Sequence, residues 1–222
     1  MVQIITKAEA AVLVPNGASI MVGGFMGCGS PHSILAAMVE RGNKDMTLIC
    51  NDCGFPNYGV GPLVVEKRFK KLIATHIGLN PHAGQQMNEG TMEVELVPQG
   101  TFAERIRCGG AGIGGFLTPT GVGTPVEEGK QKMTLDGKPY LLELPIKADV
   151  ALLKAWKADE AGNLIYRLST RNFNPMMATA AGLVIAEVEE IVPVGQLDPD
   201  QVHTPAIFVD HLVRSQEENN GR

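Results

Sequence analysis

Residues 16–31, NGASIMVGGFMGCGSP, limit the fold more than any other part of this chain. A short apolar run, Ile20-Met21-Val22, enters a loop holding Gly23, Gly24, Gly27 and Gly29. Ser30-Pro31 closes the loop, and a helical pattern follows at once. Ile34, Leu35, Met38 and Val39 fall on one face of a helix over 32–41. A buried strand, a glycine loop and a helix N-terminus in that order open an α/β sheet. The same arrangement commonly holds an anion or a polar acyl group against backbone N–H groups. Glycine after a strand is also simply a tight turn, and the loop residues alone leave both readings open.

The strand–helix rhythm continues. Residues 47–50, 72–75 and 94–97 read as further strands. A basic turn over 67–71 precedes the second of these, and a helix near 101–107 follows the third. This is the pattern of a parallel sheet. Residues 109–123 are so rich in glycine that no regular element is expected there. Lys132–Leu135 and 140–144 flank Asp136-Gly137, a hairpin signal. A second antiparallel pair is expected from 150–157 and 163–168, then a helix over 172–181 and a strand over 183–188. The polar tail from Ser215 reads as frayed. No fixed-period repeat and no low-complexity linker is evident. The expected fold is therefore one α/β domain over 1–222. Its sheet is open, mostly parallel and flanked by helices, with an added antiparallel hairpin region.

Composition narrows the function. With 44% apolar and 19% charged residues, a 222-residue chain can build a sizeable core. The net charge of −5, with no basic run, disfavours nucleic acid. No run reaches the ~20 apolar residues of a membrane span, and the first ten residues lack a signal core, so a cytoplasmic protein is expected. Cys50 and Cys53 form a C-x-x-C, but no second pair or histidines stand at ligand spacing. Unpaired, reduced thiols and no metal are the expectation.

Three segments end predicted strands, and in an α/β sheet such ends share one edge. They are the first loop, Asn51-Asp52, and Val97-Pro98-Gln99-Gly100. The carboxamides of Asn51 and Gln99 with the loop N–H groups would make a neutral donor cluster, suited to an oxyanion or carboxylate. A fourth candidate is Thr118-Pro119-Thr120-Gly121 in the glycine-rich stretch. Plainer readings exist: Asn51 as a cap, Gln99 as a solvated loop residue, His76 as a structural histidine. No nucleotide fingerprint or nucleophile elbow is present. Glu89, Glu127 and Glu128 sit beside glycines in polar stretches and read as solvated. The chain offers donors but no convincing nucleophile.

These residues resemble a known family. N-G-x-x-[apolar]3-G-G-F-x-x-x-G-x-P over 16–31 is similar to the signature of the class I coenzyme A transferases. Segments 96–107, Gly109-Gly110-Ala111-Gly112, Thr118-Pro119-Thr120-Gly121 and Arg171-Asn172-Phe173-Asn174 look like the same family, so the likeness spans nearly the whole chain. It implies the coenzyme A transferase fold, which sugar-phosphate isomerases and effector-sensing domains also use. It implies the α subunit of an acetate/acetoacetate-type enzyme, with coenzyme A as substrate and no permanently bound cofactor. The partner would be a β subunit, in an α2β2 or α4β4 assembly. The family's glutamate nucleophile lies on that partner in a Ser-Glu-Asn-Gly context, and no such tetrapeptide occurs here. The resemblance makes Gln99 and Asn51 the oxyanion or substrate donors. It makes Gly23, Gly24, Phe25, Met26, Gly27, Cys28 and Gly29 the loop lining the acyl and thiol end. A 3-oxoadipate or succinyl-CoA:3-oxoacid enzyme is the alternative, and a non-catalytic binding module on the same fold is another.

Overall fold

The computed structural model describes residues 2–215, and the tail expected to fray beyond Ser215 lies outside the described residues. Strand β1 (Gln3–Ile5) and helix α1 (Lys7–Leu13) open the chain. Then β2 (Ser19–Val22), α2 (His32–Arg41), β3 (Met46–Asp52), α3 (Gly61–Val65), β4 (Phe69–His76), α4 (Pro81–Asn88), β5 (Glu93–Leu96) and α5 (Gln99–Ala111) alternate. A separate antiparallel sheet follows, with β8 (Lys138–Glu143) between β6 (Phe116–Thr118) and β7 (Lys132–Leu135). The chain then returns through β9 (Ala148–Asp159), β10 (Leu164–Ile165), α6 (Asn174–Thr179), β11 (Ala181–Val192) and β12 (His211–Arg214).

The main sheet runs β1-β12-β11-β9-β2-β3-β4-β5, and only the short β10, paired to β9, is antiparallel. From β2 the chain winds through β3, β4 and β5 in one direction. From β9, the other neighbour of β2, it winds through β11 and β12 in the opposite direction. The β2/β9 crevice is thus the topological switch point, where open α/β sheets bind ligands. The first loop leaves β2 at that point. Alternation along the strands builds a core on each face. Ile20 and Val22 pack with Leu48, Leu72 and Ile34 on one side. Met21 and Ile49 pack with Phe102, Leu153 and Ala186 on the other.

The expected mostly parallel sheet and the hairpin around Asp136-Gly137 are both present. Three expectations fail, each for a local reason. The 109–123 stretch is not irregular throughout: α5 runs through Gly109 and Gly110, and β6 begins at Phe116. Those two glycines let α5 sit tightly on its neighbours. A Cβ at Gly109 would fall 2.1 Å from the Ile146 carbonyl, and one at Gly110 would fall 1.9 Å from Thr179 Oγ1. The basic stretch over 67–71 is not all turn, because β4 begins at Phe69, which is buried while Lys70 faces solvent. The antiparallel partner of β9 shrinks to Leu164–Ile165, since the chain turns away at Leu168 with φ +52°. Separately, one loop motif occurs twice. Gly24-Phe25-x-x-x-Gly29 recurs thirty residues on as Gly54-Phe55-x-x-x-Gly59, and each loop closes on itself, Phe25 bridging Cys28 and Phe55 bridging Tyr58.

Candidate functional site

The two repeated loops leave adjacent parallel strands and touch. The phenol ring of Tyr58 lies where a side chain on Gly27 would stand, with its Cε1 only 2.2 Å from a Cβ placed there. Tyr58 also packs on His32 at 4.3 Å between ring centroids. The glycines of the first loop are therefore consumed by internal packing. A Cβ at Gly23 would lie 1.9 Å from Asn174 Oδ1, and one at Gly29 would lie 3.0 Å from the Thr170 backbone. This chain's own residues approach Gly23, Gly24, Gly27 and Gly29 closely. Phe25, Met26 and Cys28 are what the loop exposes. The Arg171-Asn172-Phe173-Asn174 segment clamps it from above. Asn172 Nδ2 donates to the Cys28 carbonyl at 3.0 Å, and Asn174 Nδ2 donates to that of Gly29 at 3.0 Å.

The helix N-terminus after this loop is also taken. The backbone N–H groups of Ser33 and Ile34 donate to Glu187 Oε2 at 2.9 and 3.1 Å. Glu187 is fully buried and accepts from Lys154 Nζ at 3.0 Å. An internal carboxylate thus fills the anion position of α2, so the expected anion site is not there. Helix α5 differs. Pro98 caps it without a side-chain hydrogen bond, and its first intrahelical donor is Phe102, 2.8 Å from the Pro98 carbonyl. The N–H groups of Gln99, Gly100 and Thr101 have no intrahelical acceptor.

The expected convergence of Asn51 and Gln99 is seen. Gln99 Nε2 donates to Asn51 Oδ1 at 2.7 Å. Asn51 Oδ1 also accepts from Thr75 Oγ1 at 3.1 Å, and Asn51 Nδ2 donates to Asp52 Oδ2 at 2.8 Å. Asn51 is 3% exposed, whereas Gln99 lies at the surface. Asn51 is therefore the buried member that orients Gln99. Asp52, which sequence reasoning left without a role, joins the loops: Met26 N donates to its Oδ2 at 2.8 Å and Gly54 N to its Oδ1 at 3.1 Å. The signal for it was present, a carboxylate at a strand end two residues before a glycine. Gln99 opens onto a groove of about 310 Å³ lined by Phe25, Ala103, Asn172, Phe173 and Met176. Of the first-loop residues, only Phe25 lines that groove.

The remaining candidates lie elsewhere or are inert. His76 ends β4 at this edge, in register with Asp52. Glu89 pairs with Lys67 at 3.5 Å and Glu127 pairs with Lys132, so both are surface charges. Thr118 ends β6 in the small sheet. Cys50 and Cys53 are buried and free. Burial, with the Asp52 charge adding to it, pushes the Cys53 thiol up to about 12, and burial likewise raises Cys50. A raised thiol pKa works against thiolate chemistry at this C-x-x-C. Among the described residues no cluster of three or more His, Cys, Asp or Glu could hold a metal ion, and no helix is long and apolar enough to cross a membrane.

Switch-point loops, a carboxamide pair and an uncapped helix start lie beside a short apolar groove at one edge of an α/β sheet. The chain belongs to the coenzyme A transferase family, whose model matches residues 4–215. It is 54% identical over 215 residues to the alpha chain of the acetate CoA-transferase of Escherichia coli strain K12, covering 97% of this chain and 98% of that one. It is 47% identical over 199 residues to the alpha chain of the acetoacetyl-CoA:acetate/butyrate CoA transferase of Clostridium acetobutylicum, covering 90% of this chain and 91% of that one. It is also 51% identical over 208 residues to one component of a probable succinyl-CoA:3-ketoacid coenzyme A transferase of Bacillus subtilis strain 168, covering 94% of this chain and 87% of that one. A solved acyl-CoA transferase of Escherichia coli O157:H7, in a thioester complex with CoA, shares the fold with a TM-score of 0.88 at 21% identity. That match covers 98% of this chain and 48% of the other, so this chain spans about half of its length.

Proposed function

We propose that this chain is the α subunit of a heteromeric enzyme that moves CoA from a short acyl-CoA, acetyl-CoA first, to a short carboxylate or 3-oxoacid such as acetoacetate or butyrate. The observation that carries the reading is Gln99. Its carboxamide is oriented by buried Asn51 at 2.7 Å and stands beside the uncapped start of α5, at a groove whose lining side chains include no nucleophile. The half-site supplies donors and leaves the covalent chemistry to a partner.

In that scheme a glutamate on the partner attacks the thioester carbonyl. Negative charge grows on the carbonyl oxygen, and Gln99 with the first α5 N–H groups hydrogen-bonds it. The thiolate of CoA leaves and an acyl-glutamyl anhydride forms. CoA then attacks the glutamyl carbonyl, expelling the carboxylate product and giving a glutamyl-CoA thioester. The acceptor carboxylate takes CoA by the same steps reversed. Covalent catalysis thus divides one difficult transfer into easier ones, and neutral donors fit because both reactant and product are themselves carboxylates. The groove of about 310 Å³ suits a short acyl group and the thiol end of CoA. Four free cysteines suit a reducing compartment, and on that ground we assign the enzyme to the cytoplasm.

Replacing Gln99 by Ala in the assembled enzyme lowers kcat by roughly 10²–10³-fold, the usual loss for one oxyanion donor, with far-UV circular dichroism unchanged. A variant turning over at the wild-type rate would remove Gln99 from the site. Succinyl-CoA as donor is the second reading, motivated by the Bacillus subtilis relative. Comparing kcat/KM for acetyl-CoA and succinyl-CoA decides between them.

A further inference from the structure

A charged pair lies in the core, bonded to the helix start that follows the first loop, and no step of the proposed reaction uses it. Lys154 on β9 and Glu187 on β11 stand opposite each other in the parallel register, 5% and 0% exposed. Lys154 Nζ donates to Glu187 Oε1 at 3.0 Å and to Ser215 Oγ at 2.7 Å, and Ser215 Oγ donates to the same Oε1 at 2.9 Å. Ser33 Oγ adds a bond to Oε1 at 3.2 Å. Taking two charges out of water is costly, and an apolar pair of similar volume is often as stable or more so. Stability is therefore a weak reason for this pair. What an apolar pair cannot do is accept hydrogen bonds from a helix start.

The pair grips two parts of the Gln99 groove. Glu187 Oε2 holds the N–H groups of Ser33 and Ile34, and so fixes where the first loop ends. That loop carries Phe25 into the groove, and its Met26 N–H rests on Asp52, which also takes the Nδ2 donor of Asn51. The backbone N–H of Lys154 donates to Asn174 Oδ1 at 3.1 Å, and Asn174 Nδ2 holds the Gly29 and Thr170 carbonyls. Asn172 and Phe173, which also line the groove, lie between Thr170 and Asn174 in the chain. We infer that Lys154 and Glu187 are positioning residues for the Gln99 groove, and that the reach of the Glu187 side chain to α2, more than its charge, sets where the loop and its donors stand. Neither residue touches substrate. A misplacement of about 1 Å at reacting groups can cost roughly 10²-fold in rate, so a hold this far from the chemistry still governs turnover. This inference rests on the reading of function proposed above.

The test separates reach from charge in the complex co-expressed with the β subunit. Glu187→Asp keeps the charge and shortens the side chain by one methylene. Lys154→Met combined with Glu187→Gln removes both charges and keeps an amide oxygen at the same reach for Ser33 and Ile34. In transfer from acetyl-CoA to acetoacetate, Glu187→Asp lowers kcat about tenfold and leaves KM within about twofold, the pattern of a lost transition-state contact. The double variant keeps kcat within about threefold of wild type. Cys28 reports on the loop without turnover, because it is exposed while Cys50, Cys53 and Cys108 are buried. In the chain alone a maleimide labels Cys28 severalfold faster in Glu187→Asp than in wild type, and at the wild-type rate in the double variant. Wild-type kcat and labelling rate in Glu187→Asp overturn the inference. So does a double variant that loses turnover or fails to fold, since charge would then be what matters. If Glu187→Asp does not fold, the double variant alone decides. A wild-type complex that transfers no CoA faults the reading of function, while the Cys28 labelling rates still decide the positioning.

Discussion

Gly23 shows how narrowly single residues are constrained at this site. A Cβ there would lie 1.9 Å from Asn174 Oδ1. Asn174 cannot retreat, because its Oδ1 accepts from Lys154 N at 3.1 Å and its Nδ2 donates to the Gly29 and Thr170 carbonyls at 3.0 and 2.8 Å. Gly23→Ala therefore destabilises by about 1–3 kcal/mol of overpacking, and by more where an Asn174 bond breaks. A melting temperature lower by several degrees is expected in differential scanning calorimetry. Gly84, inside α4, has open space at its Cβ. Gly84→Ala should stabilise by about 0.5–1 kcal/mol. Equal effects at the two positions would contradict this account. The sequence made visible that Asn51 and Gln99 meet at one sheet edge. It did not show that the glycines serve Asn174, Tyr58 and Thr170, because those partners lie 31 to 151 residues away in the chain. The division between Gln99 at the surface and Asn51 beneath it was hidden for the same reason.

At the scale of elements, legibility followed local signals. Helix α2 spans His32–Arg41 as read from its apolar face, and Gly42 ends it in the left-handed conformation, φ +80°. Failures came where packing overrode composition, as when α5 ran through Gly109 and Gly110. The order β9-β2 joins strands 130 residues apart, and Asp149 fastens their starts. Ser19 N and Ser19 Oγ donate to its carboxylate at 2.8 and 2.7 Å, and Asp149 N returns a bond to Ser19 Oγ at 2.9 Å. The Ser19 hydroxyl, and then its backbone N–H, hold the Asp149 carboxyl below its ordinary 3.8. A depressed folded pKa means stability that is present above the unfolded value and lost as pH falls through the folded one. Asp149→Ala should thus lower the melting temperature at pH 7. The gap from wild type should narrow progressively below about pH 4. A gap independent of pH would show that the loss comes from packing rather than from the carboxylate.

On the reading proposed above, the whole molecule is a half-site. Its sheet brings two sister loops, a carboxamide pair and an uncapped helix start to one edge. Glu187, the internal carboxylate that occupies the α2 N-terminus, is buried against Lys154 and out of reach of substrate. The side chains lining the Gln99 groove include no nucleophile, and on the reading proposed above the partner supplies it. The measurement that tests the central claim most directly is CoA transfer from acetyl-CoA to acetoacetate, assayed with this chain alone, with only its β partner, and with the two co-expressed. The account predicts turnover only in the mixture, and its loss when Gln99 is replaced by Ala. Turnover by this chain alone would mean that a nucleophile lies within it and would contradict the account.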